Sequence, residues 1–313
     1  MRGHITDPTA EGGLALRVLP EPEPSPHDVV VRVGAYGLNR GELALLEQRT
    51  DGWRPGQDVA GTVATGAADR TGPSEGSRVV GIADGGGWSA RVAVPSHRVA
   101  VLPERVTFEQ AAALPVAGLT ALRTLRQGGA LLGARVLVTG ASGGVGSFAV
   151  QLAAAGGAEV TAMVSGEHRI GAVRGLGAGN VVTGIGADAG PFDLALDGVG
   201  GPVLAEAIHR LAPGATLVAY GIAGGADRTP LAFYDFAGAP LARLVGFFVY
   251  ASGEDTFGSD LGVLATLVGR GRLDPQLGSV RDWAETTDAV EALRRRTVTG
   301  KTVLTVPNGA DEE

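Results

Sequence analysis

The sequence predicts an α/β protein in which a small, partly open β-barrel is joined to a doubly wound parallel sheet. Three features predict it. Residues 14 to about 105 hold short β-branched runs broken by Gly and Pro, the pattern of short strands and tight turns. From about 112 the rhythm becomes strand, Gly-rich turn, helix, repeated, which requires right-handed crossovers and a parallel sheet. After about 251 a helix leads back to β-like sequence, so the end of the chain returns to the first domain.

The elements follow in order. Segments 29–33, 59–63, 79–82 and 90–94 read as the barrel strands. Segment 135–139 is a strand, and 144–155 a helix closed by Gly156 and Gly157. Segments 159–164, 180–183, 192–197, 215–220 and 244–250 are further strands, with helices over 167–176 and 201–212. A helix over 261–268 and a strand over 302–306 complete the chain, and the tail 308–313 is polar and expected to fray. The domains are expected at 1–112, 113–250 and 251–313, the last rejoining the first.

Composition narrows the class. A chain of 313 residues has two domains as its prior, and 44% apolar with 19% charged residues suits a soluble globular protein. The net charge of -7, with no Lys/Arg stripe, argues against nucleic acid or an anionic membrane as partner. Cysteine is absent, so there is no disulfide, no thiolate nucleophile and no Cys-bearing zinc site. No leader-like apolar segment and no membrane-length apolar run appears, so a cytoplasmic location is expected. Lys301 is the only lysine, which reads as compositional bias in a chain rich in Arg, Ala and Gly.

The most informative segment runs from Val136 to Gly146, after a strand and into a helix. As a dinucleotide fingerprint it is A-x-G-x-x-G: Ala141, Ser142, Gly143, Gly144, Val145, Gly146. Gly143 admits a pyrophosphate near the backbone, Gly146 lets the helix pack closely, and the helix N-terminus faces the phosphates. The same letters from Gly140 to Gly144 spell G-x-S-x-G, the nucleophile elbow of α/β-hydrolases, with Ser142 as nucleophile. That alternative needs a downstream acid and His, and only His168 and His209 follow, both in predicted helices. A cofactor preference is written at the end of the second strand, where an acid would bond the ribose of NAD. Here the strand ends at Ser165 with no carboxylate, and Arg169 follows. A hydroxyl and a guanidinium suit a 2'-phosphate, so NADPH is the expected cofactor.

Several motifs in order then resemble one family. They are the segment Pro55 to Val63, the segment Ala112 to Ala121, the run Gly140 to Gln151, Leu176-Gly177-Ala178, Asp197 to Gly201, and Gly300 to Leu304. Together they are similar to the medium-chain dehydrogenase/reductase superfamily, in its zinc-free quinone oxidoreductase and enoyl reductase branch. The resemblance covers nearly the whole chain. It implies a GroES-like β-barrel catalytic domain and a Rossmann domain. Gln57 stands where the zinc enzymes of that family place a metal-binding His. No metal is therefore expected, and the implied reaction is NADPH-dependent reduction of a quinone or an activated C=C bond.

By the same resemblance, Tyr220, Gly221, Ile222, Phe247, Phe248 and Val249 line the nicotinamide, Gly198 and Val199 lie near it, and Thr120 lies at the domain cleft. Asn39 matches a position in the family's active site; as a residue it also suits a turn. Tyrosines that relatives carry beyond it are replaced by Ala44 and Thr50, with Trp53 nearby, so no proton donor is identified and protonation from water is expected. A member that binds NADPH with little catalysis is the remaining alternative. The strand 244–250 is aromatic and uncharged, and the resemblance implies a homodimer formed by pairing it across a two-fold axis.

Overall fold

The computed structural model describes residues 1–49, 52–225, 228–307 and 309–310. Thr50, named above, lies outside the described residues, as does most of the polar tail, 308 and 311–313. The chain divides into two compact units, Met1–Leu119 with Gly253–Glu313, and Thr120–Ser252. These bounds fall a few residues from the expected 113–250.

In the first unit, β1 (Arg2–Thr6) and β2 (Leu14–Val18) form an antiparallel ribbon. The long β3 (Asp28–Gly37) is followed by α1 (Arg40–Gln48), β4 (Asp58–Thr65), β5 (Arg78–Ile82), β6 (Arg91–Pro95) and β7 (Val99–Val101). Val29, Val31 and Val33 belong to the hydrophobic core and Arg32 is exposed, while Val30 and residues 35–37 are also buried, so much of the strand is covered on both faces. The segment at 112–121 forms the end of α2 (Phe108–Ala112) and the start of α3 (Pro115–Arg126). The break comes at Pro115, which favours a first helical position and disfavours helix in the residue before it.

The second unit is a six-stranded, wholly parallel sheet. Its elements are β8 (Arg135–Thr139), α4 (Gly144–Ala155), β9 (Glu159–Met163), α5 (Ile170–Arg174), β10 (Asn180–Val182), β11 (Phe192–Asp197), α6 (Gly201–Ile208), β12 (Leu211–Ala219) and β13 (Arg243–Gly246). The order β10-β9-β8-β11-β12-β13 reverses between β8 and β11, the switch point outside which ligands sit in such sheets. Residues 136–139 are all buried, as expected for a strand covered on both faces.

Several element bounds depart from the sequence reading, three of them around the parallel sheet. The helix expected to 212 stops at Ile208 and β12 begins at Leu211, which the sheet takes up by pairing it with Phe192 of β11. The helix expected over 167–176 is a 3-10 turn, Glu167–Arg169, followed by α5. The strand expected over 244–250 is only Arg243–Gly246, and Val249–Ala251 is a 3-10 turn. Its only neighbour among the described residues, β12, ends at Ala219, opposite Gly246, so the ladder stops there.

The chain then returns to the first unit through α7 (Phe257–Gly269), β14 (Leu277–Asp282), α8 (Thr286–Arg294) and β15 (Lys301–Thr305). β15 lies antiparallel to β3, opposite Ala35 to Gly37, and completes the seven-stranded sheet. No described helix is long and apolar enough to cross a membrane.

Candidate functional site

The Gly-rich turn sits where β8 passes into α4, at the switch point. Gly143 is the N-cap of α4 and is exposed, with Gly144 and Val145 half-buried in the first turn. The first N–H groups of a helix have no intrahelical partner and carry the positive end of its dipole. Gly146 answers the packing requirement read from the sequence. A Cβ there would lie 2.4 Å from the carbonyl oxygen of Gly140 and 2.7 Å from Cα of Ala141. Ala141 is fully buried beneath the turn.

The structure brings Arg169 to this turn. Its Nη1 donates to Oγ of Ser142 at 3.4 Å, although 27 residues separate them. Ser165, at the end of β9, is exposed, and no carboxylate occupies Ser165 or the positions on either side. The hydrolase alternative has no support in this arrangement. Ser142 accepts its hydrogen bond from an arginine, while His209 pairs with Asp235.

Beside the turn, β11 ends in a buried carboxylate. Oδ1 of Asp197 accepts from the Thr139 hydroxyl at 2.5 Å, and Oδ2 from the N–H of Gly200 at 2.8 Å. Burial pushes this carboxyl up, and the Thr139 hydroxyl and the N–H groups of Gly200 and Val199 oppose the shift. The Thr139 hydroxyl oxygen in turn accepts from Gly198 N–H. Gly198 is required there: a Cβ would lie 2.6 Å from the ring of Tyr220. The Tyr220 hydroxyl donates to the Thr139 carbonyl at 3.5 Å, and burial raises it, so it stays protonated at neutral pH. Thus Gly198, Val199 and Tyr220, with Gly221 after it, gather at the ends of β8, β11 and β12. Ile222 is exposed, Phe247 is buried and extends the β12 pairing through its N–H to Ala219, Phe248 is exposed, and Val249 opens the 3-10 turn. Thr120 is buried in α3.

In the first unit a second polar cluster is buried. Asn39 is the N-cap of α1, and its N–H donates to Oε2 of Glu42 at 2.8 Å. Oε1 of Glu42 accepts from Gln57 N–H at 3.0 Å. Burial, with the nearby Asp58, raises the Glu42 carboxyl to about 8. Lys301, which the composition alone reads as bias, is 3% exposed and ion-pairs with the fully buried Asp58 at 3.1 Å. Glu42, Asp58, Lys301, Asp197 and Thr139 were given no site role by the sequence reading. For Lys301 and Asp197 a signal was present: a charge directly beside a β-prone apolar run, Val303–Leu304 or Leu194–Leu196.

Two family models match the chain: an alcohol dehydrogenase GroES-like domain over residues 25–104 and a zinc-binding dehydrogenase domain over 176–304. Among solved structures, the quinone oxidoreductase of Thermus thermophilus, determined alone and in complex with NADPH, is 31% identical with a TM-score of 0.80. The match covers 97% of this chain and 100% of that one. The spectinabilin polyketide synthase system protein NorB of Streptomyces orinoci is 34% identical over 299 residues, 92% of this chain but 13% of that much longer protein. A trans-enoyl reductase of Aspergillus flavipes is 36% identical over 187 residues, 51% of this chain and 53% of its own length.

Proposed function

The chain belongs to the medium-chain dehydrogenase/reductase superfamily, as a quinone oxidoreductase-like member, and from that premise we propose that it is an NADPH-dependent reductase of quinones or of activated C=C bonds in enones and enoyl thioesters. The observation that carries this reading is the Ser142–Arg169 pair at the mouth of the Gly-rich turn, with no carboxylate at the end of β9. A 2'-phosphate needs a cation and tolerates no acid at that place. Gly143, Gly144 and Val145 would hold the pyrophosphate through backbone N–H groups. Gly198, Val199 and Tyr220 to Ile222 would border the nicotinamide, with Phe247, Phe248, Val249 and Thr120 as its outer contacts.

The bound cofactor supplies the hydride; the protein orients the acceptor, polarises its carbonyl and keeps the reacting carbon dry. Asn39 is the proposed carbonyl donor. Protonation is assigned to water. The reading is metal-free: with no cysteine in the chain and Gln57 at the place of a metal-binding His, the donor set for zinc does not fit. It also includes a homodimer built on the edge of β13.

The test is NADPH oxidation followed against 9,10-phenanthrenequinone, simple enones and a crotonyl thioester. Turnover with at least one class is the expected result. NADPH binding with no turnover on any of them would leave a binding protein rather than a reductase. No NADPH binding at all would remove the cofactor assignment.

A further inference from the structure

Lys301 is the only lysine of the chain, and it is buried. A lysine ammonium carries three N–H donors and no acceptor. Three acceptors take them: the Leu38 carbonyl at 2.9 Å, Oδ1 of Asn39 at 2.7 Å and Oδ2 of Asp58 at 3.1 Å. Nothing remains with which Lys301 could protonate a substrate. The same accounting fixes Asn39. Because an ammonium only donates, the amide atom it meets must be the oxygen, so the amide orientation follows from chemistry.

The other end of that amide is then determined. Nδ2 of Asn39 is buried and has no hydrogen-bond partner among the described residues. Buried amide donors are nearly always paired, so an orphan at a rigidly held residue needs an explanation. Asn39 is rigidly held. Its N–H is tied to Glu42 and its Oδ1 to Lys301. Asp58, which anchors the ammonium, is itself pinned by the Val116 N–H at 2.9 Å. Backbone N–H and side-chain oxygen are both committed, and one two-proton donor is left with no acceptor among the described residues.

We infer that Lys301 is a positioning residue, holding the Asn39 amide so that Nδ2 donates to the carbonyl oxygen of the reducible acceptor. This rests on the reductase reading above. Hydride addition to a quinone or an enone places negative charge on that oxygen, and a preorganised N–H there stabilises the charge as it develops. An amide free to rotate would present its own oxygen for part of the time and repel the same charge. Lys301 removes that alternative without touching the substrate.

Asparagine occurs only at 39, 180 and 308, so 15N-asparagine labelling of the full chain gives three side-chain amides, with Asn39→Asp assigning one. In the unsubstituted protein with NADP+, the Asn39 amide signals should be separate and should shift when cyclohexanone, a saturated ketone, is added. Lys301→Met is made together with Asp58→Asn so that no buried carboxylate is stranded. In that variant the Asn39 signals should broaden or move and lose their response to ketone. In kinetics with cyclohexenone, Asn39→Asp keeps an acceptor for Lys301 but deletes the donor. It should lower kcat/KM on the order of 100-fold with the Kd for NADPH unchanged. Lys301→Arg should retain more kcat than the Lys301→Met double variant, with similar KM.

The failures separate. If the unsubstituted protein consumes no NADPH with any quinone or enone, the reductase reading falls, yet the amide signals still decide the positioning. Asn39 signals unaltered by loss of Lys301 would overturn it. If turnover is present and Asn39→Asp keeps full kcat/KM, the inference is wrong and the reductase reading stands.

Discussion

At Arg169 the proposed preference between two nicotinamide cofactors rests on one guanidinium. It stands beside Ser142, where a 2'-phosphate would add charge-assisted bonds of about 1.5–3 kcal/mol. NADPH should therefore bind at least about tenfold more tightly than NADH, and Arg169→Ala should erase most of the gap. Equal dissociation constants in the unsubstituted protein would defeat this. Gly146 is a sterner residue, since the obstacles to a Cβ are backbone atoms that cannot swing away. Gly146→Ala should cost about 1–3 kcal/mol in urea unfolding and weaken NADPH binding. Glu42 sets a pH dependence. With its carboxyl raised from 4.5 to about 8, the folded protein keeps a proton that the unfolded chain has lost. Stability from protonated Glu42 is thus complete below the unfolded value and is lost as pH rises through about 8. Glu42→Gln should flatten that fall, read as urea midpoints from about pH 5 to about pH 9.

Among the elements, β13 carries the assembly prediction. It pairs only with β12 among the described residues, and Leu244, Gly246 and Phe248 are exposed along it. Since Phe247 N–H bonds inward to Ala219, alternation turns the N–H groups of Leu244 and Gly246 outward. These are the residues that would meet a second copy. The expected species in sedimentation at micromolar concentration is a dimer; a single component near 31.5 kDa would rule it out. Leu244→Pro deletes an outward donor and spares the β12 ladder, so it should weaken the dimer while leaving the fold intact. The shortness of β13 was not legible in its aromatic, β-prone letters. Strand length depends on the neighbour, and β12 stops at Ala219.

For the molecule as a whole, both units were legible as a texture: short punctuated strands, then strand–turn–helix units, then a return. The return is what seats β15 against β3 and buries Lys301. Metal independence belongs to this scale because it concerns the whole donor inventory. NADPH binding and any turnover should survive exhaustive chelation, and elemental analysis should find no stoichiometric zinc. A tightly held equivalent of zinc would overturn the reading of Gln57.

Features that depend on neighbours along the chain were legible in the letters: the A-x-G-x-x-G turn between β8 and α4, the missing carboxylate at the end of β9, the absence of cysteine. Those are patterns of spacing and composition, and local backbone chemistry suffices to interpret them. Only the tertiary structure decided which distant groups meet. Lys301 finds Leu38, Asn39 and Asp58 across separations of 263, 262 and 243 residues. A buried ammonium survives only where several acceptors converge on it, and that convergence is set by the registers of β3, β4 and β15.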